Sequence, residues 1–431
     1  MTEIFETPAF LCCIFVGIFI TVRLIHRYLR RDSETFFSPI TFIELMLLYY
    51  VIIAPILMIS NGDTEYVGKD MSPYIPLSWY GAFLSYFSIL AGYRIRPAQR
   101  RTTPQRSGKE SPERIFRIGA FLTVFGIFVY VLNGGVSLNQ LMFSAFVEQY
   151  ETVDSSLSGY GKQMINFCIP GCCLMYVAYV KGCRSVTNKV LLIALTALSF
   201  SCFIVAGFRY RIVYFIISFI TVHYIFRRTK PNVFIWGGFF VLLIYAMGII
   251  GATRNYHSGL DIDALENYSD SDIITKGMND TRIFYSTGAL MDNIRTTGDY
   301  VYFKPLYTAV CMPIPRSIFP EKPDADYLVD MNNRIWTTAE YGIAFMNYGE
   351  AFYAFGWLGI ILNGLFIGFV SRYVMTRFRR NPKSVYNLMT LALFNGLTYV
   401  ILSRGYLAQQ VTILFLTLII PLYIYKKYLK A

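Results

Sequence analysis

Charge is what this chain has least of. Only 15% of its 431 residues are Asp, Glu, Lys or Arg, against about 25% in an average globular chain. Three residues are histidine. With 55% hydrophobic residues and a mean hydropathy of +0.44, that scarcity excludes a soluble enzyme. The sequence has no glycine-rich nucleotide loop, metal-ligand cluster or catalytic-triad signature. A nucleotide-fuelled reaction is therefore disfavoured, no cofactor is expected, and any donor must arrive already activated. The eight cysteines make no disulfide framework: Cys12, Cys13, Cys168, Cys172, Cys173 and Cys202 lie in apolar stretches, Cys183 in a basic connection and Cys311 by itself in an acidic one. There is no internal repeat and no low-complexity tract. Paired, broken half-helices, which point to many secondary transporters, are missing too.

What the chain has in quantity is apolar runs. A run of about 20 residues crosses the hydrocarbon of a bilayer. Eleven runs qualify, near 7–24, 39–60, 74–93, 115–132, 164–180, 189–206, 211–226, 232–252, 353–374, 385–403 and 407–425. The few charges sort between the connections. Every second connection is rich in Lys and Arg, and together these hold 26 of the 39 basic residues but only Asp32, Glu34, Glu110 and Glu113 of the acidic ones. Under the positive-inside rule those connections face the cytoplasm. Glu3 and Glu6 precede the first run and basic residues follow it, so the N-terminus is expected outside and the lysine-bearing C-terminus inside. The fold class is an all-α integral membrane protein of about eleven transmembrane helices with one large extracytoplasmic loop. Residues 1–252 hold helices one to eight, 253–352 the large loop, and 353–431 helices nine to eleven. The net charge of +12 reflects this topology and contact with membrane lipid, and implies no nucleic-acid partner.

The large loop holds about a quarter of the residues, and a loop of that length is usually functional. Its middle, 301–319, is apolar, aromatic and too broken to span, which suits an element dipping into the membrane interface or lying on it. Four prolines then fall within eleven residues, Pro313 to Pro323, making a stiff turn that carries Arg316 and Lys322.

Arginines on the acidic side work against the sorting of charge. They are Arg209 and Arg211 after the sixth run, Arg254 after the eighth, Arg282, Arg295, Arg316 and Arg334 in the large loop, and Arg404 after the tenth. An Arg near hydrocarbon costs about 2.5–3.5 kcal/mol on insertion scales, and its planar fork suits phosphate oxygens. Any one of them is equally explained by snorkelling or by pairing with loop carboxylates. The set is less easily explained so, because Arg209, Arg211, Arg254 and Arg404 come from three separate span ends that could meet at one pocket. Glu350, at the mouth of the ninth run, is a poorly solvated carboxylate suited to general-base work, or equally a helix-start acid answering the dipole. His257 is the one histidine expected outside, beside Arg254; a lone loop histidine is more often simply solvated. Asp-x-Asp pairs occur at Asp261/Asp263, Asp270/Asp272 and Asp324/Asp326, but chance explains them better than a metal site. Glu44, within the second run, is expected to face protein or water rather than lipid. Gly349, Gly356, Gly359 and Gly364 fit close helix packing better than catalysis.

Several of these stretches look familiar. Gly207-Phe208-Arg209, the Pro315-Arg316…Phe319-Pro320…Lys322-Pro323 turn, Gly349-Glu350…Phe355-Gly356…Gly359 and Arg404-Gly405, set in many spans with one large late loop, resemble the Wzy-type repeat-unit polymerases that build O-antigens and capsules in bacterial envelopes. The Arg-(ten residues)-Gly spacing of some members is absent at all eight outer arginines. The resemblance implies a glycosyltransferase of the bacterial cytoplasmic (inner) membrane that needs no cofactor. Its donor is a growing glycan on undecaprenyl diphosphate and its acceptor the next lipid-linked repeat unit. Arg209, Arg211, Arg254, Arg282, Arg316, Lys322, Arg334 and Arg404 are then the candidates for binding the substrate, and Glu350 and His257 for taking the hydroxyl proton. A flippase and a chain-length regulator are partners that follow from the resemblance alone. A ligase or other glycosyltransferase using the same arginines is the nearer rival. A flippase is the further one, since it would need charges within the spans.

Overall fold

The computed structural model describes residues 2–30, 33–97, 111–133, 157–205, 209–255, 259–260, 268–314, 318–323, 326–336 and 344–430. All eleven apolar runs lie on helices: α1 (Pro8–Leu29), α2 (Pro39–Ser60), α3 (Ile75–Arg94), α4 (Pro112–Leu132), α5 (Tyr160–Val180), α6 (Val186–Val205), α7 (Arg209–Arg227) and α8 (Val233–Thr253), then, after the loop, α13 (Asn347–Arg380), α14 (Val385–Ser403) and α15 (Leu407–Tyr428). Ten of these are long and apolar enough to cross a membrane among the described residues. The exception is α3. It carries Ser78, Ser85 and Ser88 because it is enclosed by protein, and Ser78 Oγ donates to the Phe284 carbonyl at 2.6 Å. Proline at the first turn starts several of the helices, where its missing N–H costs nothing. Thr7 caps α1 ahead of Pro8, and Ser111 caps α4 ahead of Pro112.

Between α8 and α13 the chain forms four short helices: α9 (Asp270–Met278), α10 (Ile283–Thr297), α11 (Lys304–Cys311) and α12 (Asp326–Asn333). The described residues also form two small antiparallel hairpins, Glu65–Tyr66 with Lys69–Asp70 and Arg254–Asn255 with Gly259–Leu260. Helix α11 buries Pro305, Thr308, Ala309 and Cys311 and exposes Leu306, Tyr307 and Val310, beside exposed Tyr302 and Phe303. It has the two faces expected of an interfacial element in this part of the loop.

Two apolar cores run through the bundle. One joins α1, α2, α3, α10 and the start of α13; the other joins α4, α5, α7, α14 and α15. Helices α3 and α13 meet backbone to backbone, because Gly92 faces the Leu365 carbonyl and Gly368 the Ile89 carbonyl with no Cβ between them. Some of the polar contacts between elements mark the two ends of the bundle. At one, Arg209 meets Asp280, Arg282 meets Asp63 and Tyr160 meets Met312. At the other, Tyr28 meets Pro231 and Arg379 meets Thr35. Glu44 is fully buried, as expected, and faces protein. It accepts from Arg27 at 2.6 and 3.0 Å, from Arg23 at 2.8 Å and from the Tyr86 hydroxyl at 3.0 Å. All eight cysteines are free.

One feature of α13 is absent from the sequence reading. The helix begins at Asn347, inside the stretch assigned to the loop, and breaks at Phe355–Gly356, where Gly356 takes φ +61°. The amides of Val301 and Tyr302 donate to the carbonyls of Tyr353 and Ala354 at 3.0 Å each, filling the acceptors that the break leaves open.

Candidate functional site

Three of the misplaced arginines do meet. Arg209 and Arg211 open α7, and Arg404 sits in the extended turn between α14 and α15. The Arg209 guanidinium lies against Gly251 in the last turn of α8, where an added Cβ would come within 3.0 Å of its Nη2. A side chain there would push the guanidinium away. Arg254 follows three residues later in the hairpin strand Arg254–Asn255, so its backbone is at the same end of the bundle; its side chain lies outside the described residues.

The electrostatics of the cluster are lopsided. Arg209 Nη1 donates to Asp280 at 3.4 Å. Arg404 lies 5.7 Å from the centre of the Tyr210 ring and makes no side-chain hydrogen bond among the described residues. Burial works against the Arg404 charge, but the field of Asp280 and the phenols of Tyr399, Tyr50 and Tyr210 outweighs it and holds its pKa above the ordinary arginine value. Arg211 is 1% exposed and donates to Gln163 Oε1 at 2.9 Å and to the Tyr210 hydroxyl at 3.2 Å. Tyr50 and Tyr399 close the floor, hydroxyl to hydroxyl at 2.7 Å. Tyr50 lies on a π-helical segment of α2, Leu48–Ile53, the kind of irregularity that gathers at functional sites. Asp280 thus pairs with Arg209, and its field also reaches Arg404, at the end of an apolar bundle.

Glu350 lies behind this cluster, 5% exposed. Both of its oxygens accept from the Leu407 amide at 3.0 Å, and the Tyr327 hydroxyl donates to it at 2.8 Å. Burial, and then the Glu350 charge and that hydrogen bond, push the Tyr327 phenol far above its ordinary pKa and keep it a donor. The neighbouring Gly405 amide donates to the Phe345 carbonyl at 2.6 Å, and a Cβ on Gly405 would meet the Met346 carbonyl at 2.7 Å. Together these contacts clamp the turn bearing Arg404 to the first turn of α13. In this arrangement Glu350 holds backbone.

The other expected residues go elsewhere. Arg282 donates to Asp63 at 2.5 Å and to the Glu65 carbonyl at 2.9 Å, tying α10 to the first hairpin. Arg334 is held by Asp330 at 3.0 Å and Asp299 at 3.3 Å. Both answer loop carboxylates instead of joining the cluster. Lys322 is 4% exposed, and its ammonium donates to the Tyr160 hydroxyl at 3.0 Å and to the carbonyls of Ile314 and Met312 at 3.1 and 3.3 Å. One of its donors goes to Tyr160 on α5 and two to the proline-rich turn. His257 and Arg316 lie outside the described residues. Asp272 is used in capping α9 and Asp270 accepts from Tyr245, so that Asp-x-Asp pair is occupied locally. The sequence reading missed Asp280, Tyr50 and Tyr399. The one signal for Asp280 was an acid two residues from an arginine in the loop, and the tyrosines passed as ordinary apolar span residues.

Comparison with known proteins bears on all of this. The family model described as O-antigen polysaccharide polymerase Wzy matches residues 3–431. No curated protein and no solved structure matches the chain. A multi-pass helical bundle, a cluster of arginines at one end of it and a family match over essentially the whole length agree. The chain belongs to the Wzy family of O-antigen polysaccharide polymerases.

Proposed function

We propose that the protein joins lipid-linked oligosaccharide repeat units on the outer face of the cytoplasmic membrane. The growing glycan leaves undecaprenyl diphosphate and passes to the next repeat unit, whose hydroxyl attacks the anomeric carbon. Diphosphate is a good leaving group, so the main demand is for cations placed where its charge develops. The observation that carries this reading is Arg404, set with Arg209 within the field of one carboxylate and making no side-chain hydrogen bond of its own among the described residues. Two fixed cations against one anion, at the end of an apolar bundle, favour a ligand with negative charge and several acceptor oxygens. The sorting of Lys and Arg between alternate connections supports placing the arginine cluster outside. Delivery of acceptor units by a flippase and control of length by a regulator belong to the same proposal.

The test is the surface-glycan ladder of a strain lacking this gene, complemented with variants. Arg404→Ala and Arg209→Ala each remove a charge-assisted contact of about 1.5–3 kcal/mol. That corresponds to a roughly 10–150-fold loss of polymerisation, with the single-repeat band retained. Arg334→Ala, whose guanidinium is spent on loop carboxylates, leaves the ladder nearly intact. Unchanged ladders from both cluster variants would overturn the assignment of the site, and loss of the single-repeat band in the deletion strain would point to a flippase or ligase.

A further inference from the structure

The proposed transfer needs a group to receive the proton of the attacking hydroxyl, and neither residue first suggested for it is in a position to be argued for. Glu350 is sealed, its oxygens occupied by the Leu407 amide and the Tyr327 hydroxyl. His257 lies outside the described residues.

Among the described residues, several other loop carboxylates are engaged away from the Arg209–Arg404 cluster. Asp63 is bound to Arg282, and Asp330 to Arg334 and Tyr353. Asp292 is bound to Arg295, and Asp70 to Thr64 and Ser72. Asp280 differs in three ways. Its side chain is about a third exposed, at 32%. Its hydrogen bonding among the described residues is a single long contact, 3.4 Å from Arg209 Nη1, which leaves most of its acceptor positions open. Its charge also acts on Arg404, Tyr50 and Tyr399, the groups that line the cluster.

Resting on the function proposed above, we propose that Asp280 is the proton acceptor of the transfer and that the substrate itself frees it. The incoming diphosphate competes with Asp280 for the Arg209 guanidinium. Once the phosphate oxygens take that guanidinium, the carboxylate loses its partner and is free to accept a proton. The acceptor O–H bond then breaks, with its proton going to an Asp280 oxygen. The new bond forms between that oxygen of the acceptor and the anomeric carbon. The bond from the anomeric carbon to the diphosphate breaks, and its electron pair leaves with the lipid diphosphate beside Arg209 and Arg404. Asp280 returns the proton to water before the next cycle. Binding and release of the carboxylate are coupled, so it is free only when a donor is present.

The experiment uses the full chain, purified and returned to lipid, with Asp280→Asn and Asp280→Ala. Undecaprenyl diphosphate is the binding probe, and single-turnover transfer to a synthetic lipid-linked acceptor is the rate assay. Asp280→Asn is expected to bind the probe at least as tightly as the unaltered protein, because a competing anion is gone. Its rate is expected to fall by roughly 10²–10⁴-fold, the usual contribution of a general base, and to lose the acid limb of its pH profile. Formate is expected to restore part of the rate to Asp280→Ala, an effect that a merely structural carboxylate would not show. Full turnover by Asp280→Asn overturns the proposal, as does loss of probe binding in parallel with turnover, which would make Asp280 an anchor for the arginines. So does a failure of formate to act on Asp280→Ala. Unchanged probe binding by Arg404→Ala would instead remove the underlying reading of the site, whatever Asp280 does.

Discussion

Replacing Glu350 by alanine should do more harm than replacing it by glutamine, by an amount that the clamp predicts. Alanine leaves the Leu407 amide and the Tyr327 hydroxyl without their acceptor, in a place where Glu350 itself is 5% exposed. An orphaned buried donor costs about 1–3 kcal/mol, so the pair costs roughly 2–6 kcal/mol. A typical domain has about 5–15 kcal/mol in hand, and the loss falls on the turn that carries Arg404. Glutamine keeps a carbonyl oxygen for Leu407, and Tyr327 can turn its hydroxyl to accept from the new amide. What is lost is the charge assistance, about 1 kcal/mol. The measurement pairs thermal unfolding of the detergent-purified variants with the glycan ladder that each supports. Glu350→Ala should melt early and give short or no polymer, whereas Glu350→Gln should melt near the unaltered protein and keep polymerisation within a few-fold. A well-folded Glu350→Gln that cannot polymerise would refute the clamp, return Glu350 to the chemistry as a base and weaken the case for Asp280.

Two further changes probe the frame that holds the site. Glu44→Ala leaves Arg27, which is 8% exposed, as an uncompensated buried cation and should cost about 3–5 kcal/mol in unfolding measurements. The paired change Arg27→Met with Glu44→Leu should recover most of that, and a Glu44→Ala protein as stable as the original would deny the cluster a role in stability. Gly368→Ala sets a methyl against the Ile89 carbonyl on α3; the helices must part, at about 1–3 kcal/mol or more, and a protein with unchanged yield and melting would show that the contact between α3 and α13 is looser than drawn.

The helices were legible because each is a long apolar run, a property of neighbours in sequence. Even α3, whose buried serines dilute its hydropathy, kept enough apolar residues to be found. The meeting of Arg209, Arg211 and Arg404 was legible as charge in the wrong place. The role of Glu350 was not, because its partner is a backbone amide 57 positions away, and no pattern of side chains encodes that. Asp280 was lost among the other acids of its loop, and what singles it out is only how little else holds it. The pairing of Arg282 and Arg334 was foreseen only as an alternative open to every outer arginine, because Asp63 and Asp299 lie 219 and 35 positions away; only Asp330 is one helical turn from Arg334.

The broken helix α13 bears on how such proteins can be recombined. Because Val301 and Tyr302 supply the amides that complete the helix at Tyr353 and Ala354, part of the large loop acts as a missing turn of a membrane helix. A chimera that exchanges residues 253–346 with a relative, to transfer specificity for a different sugar, would graft in a foreign splint. Unless the donor sequence offers two amides at the same height and a side chain that fits beside Gly356 where Tyr300 now sits, the recipient helix would be left with open carbonyls. Exchanges that carry α13 along with the loop, at least through Gly359, keep splint and helix matched and are the ones expected to yield folded hybrids.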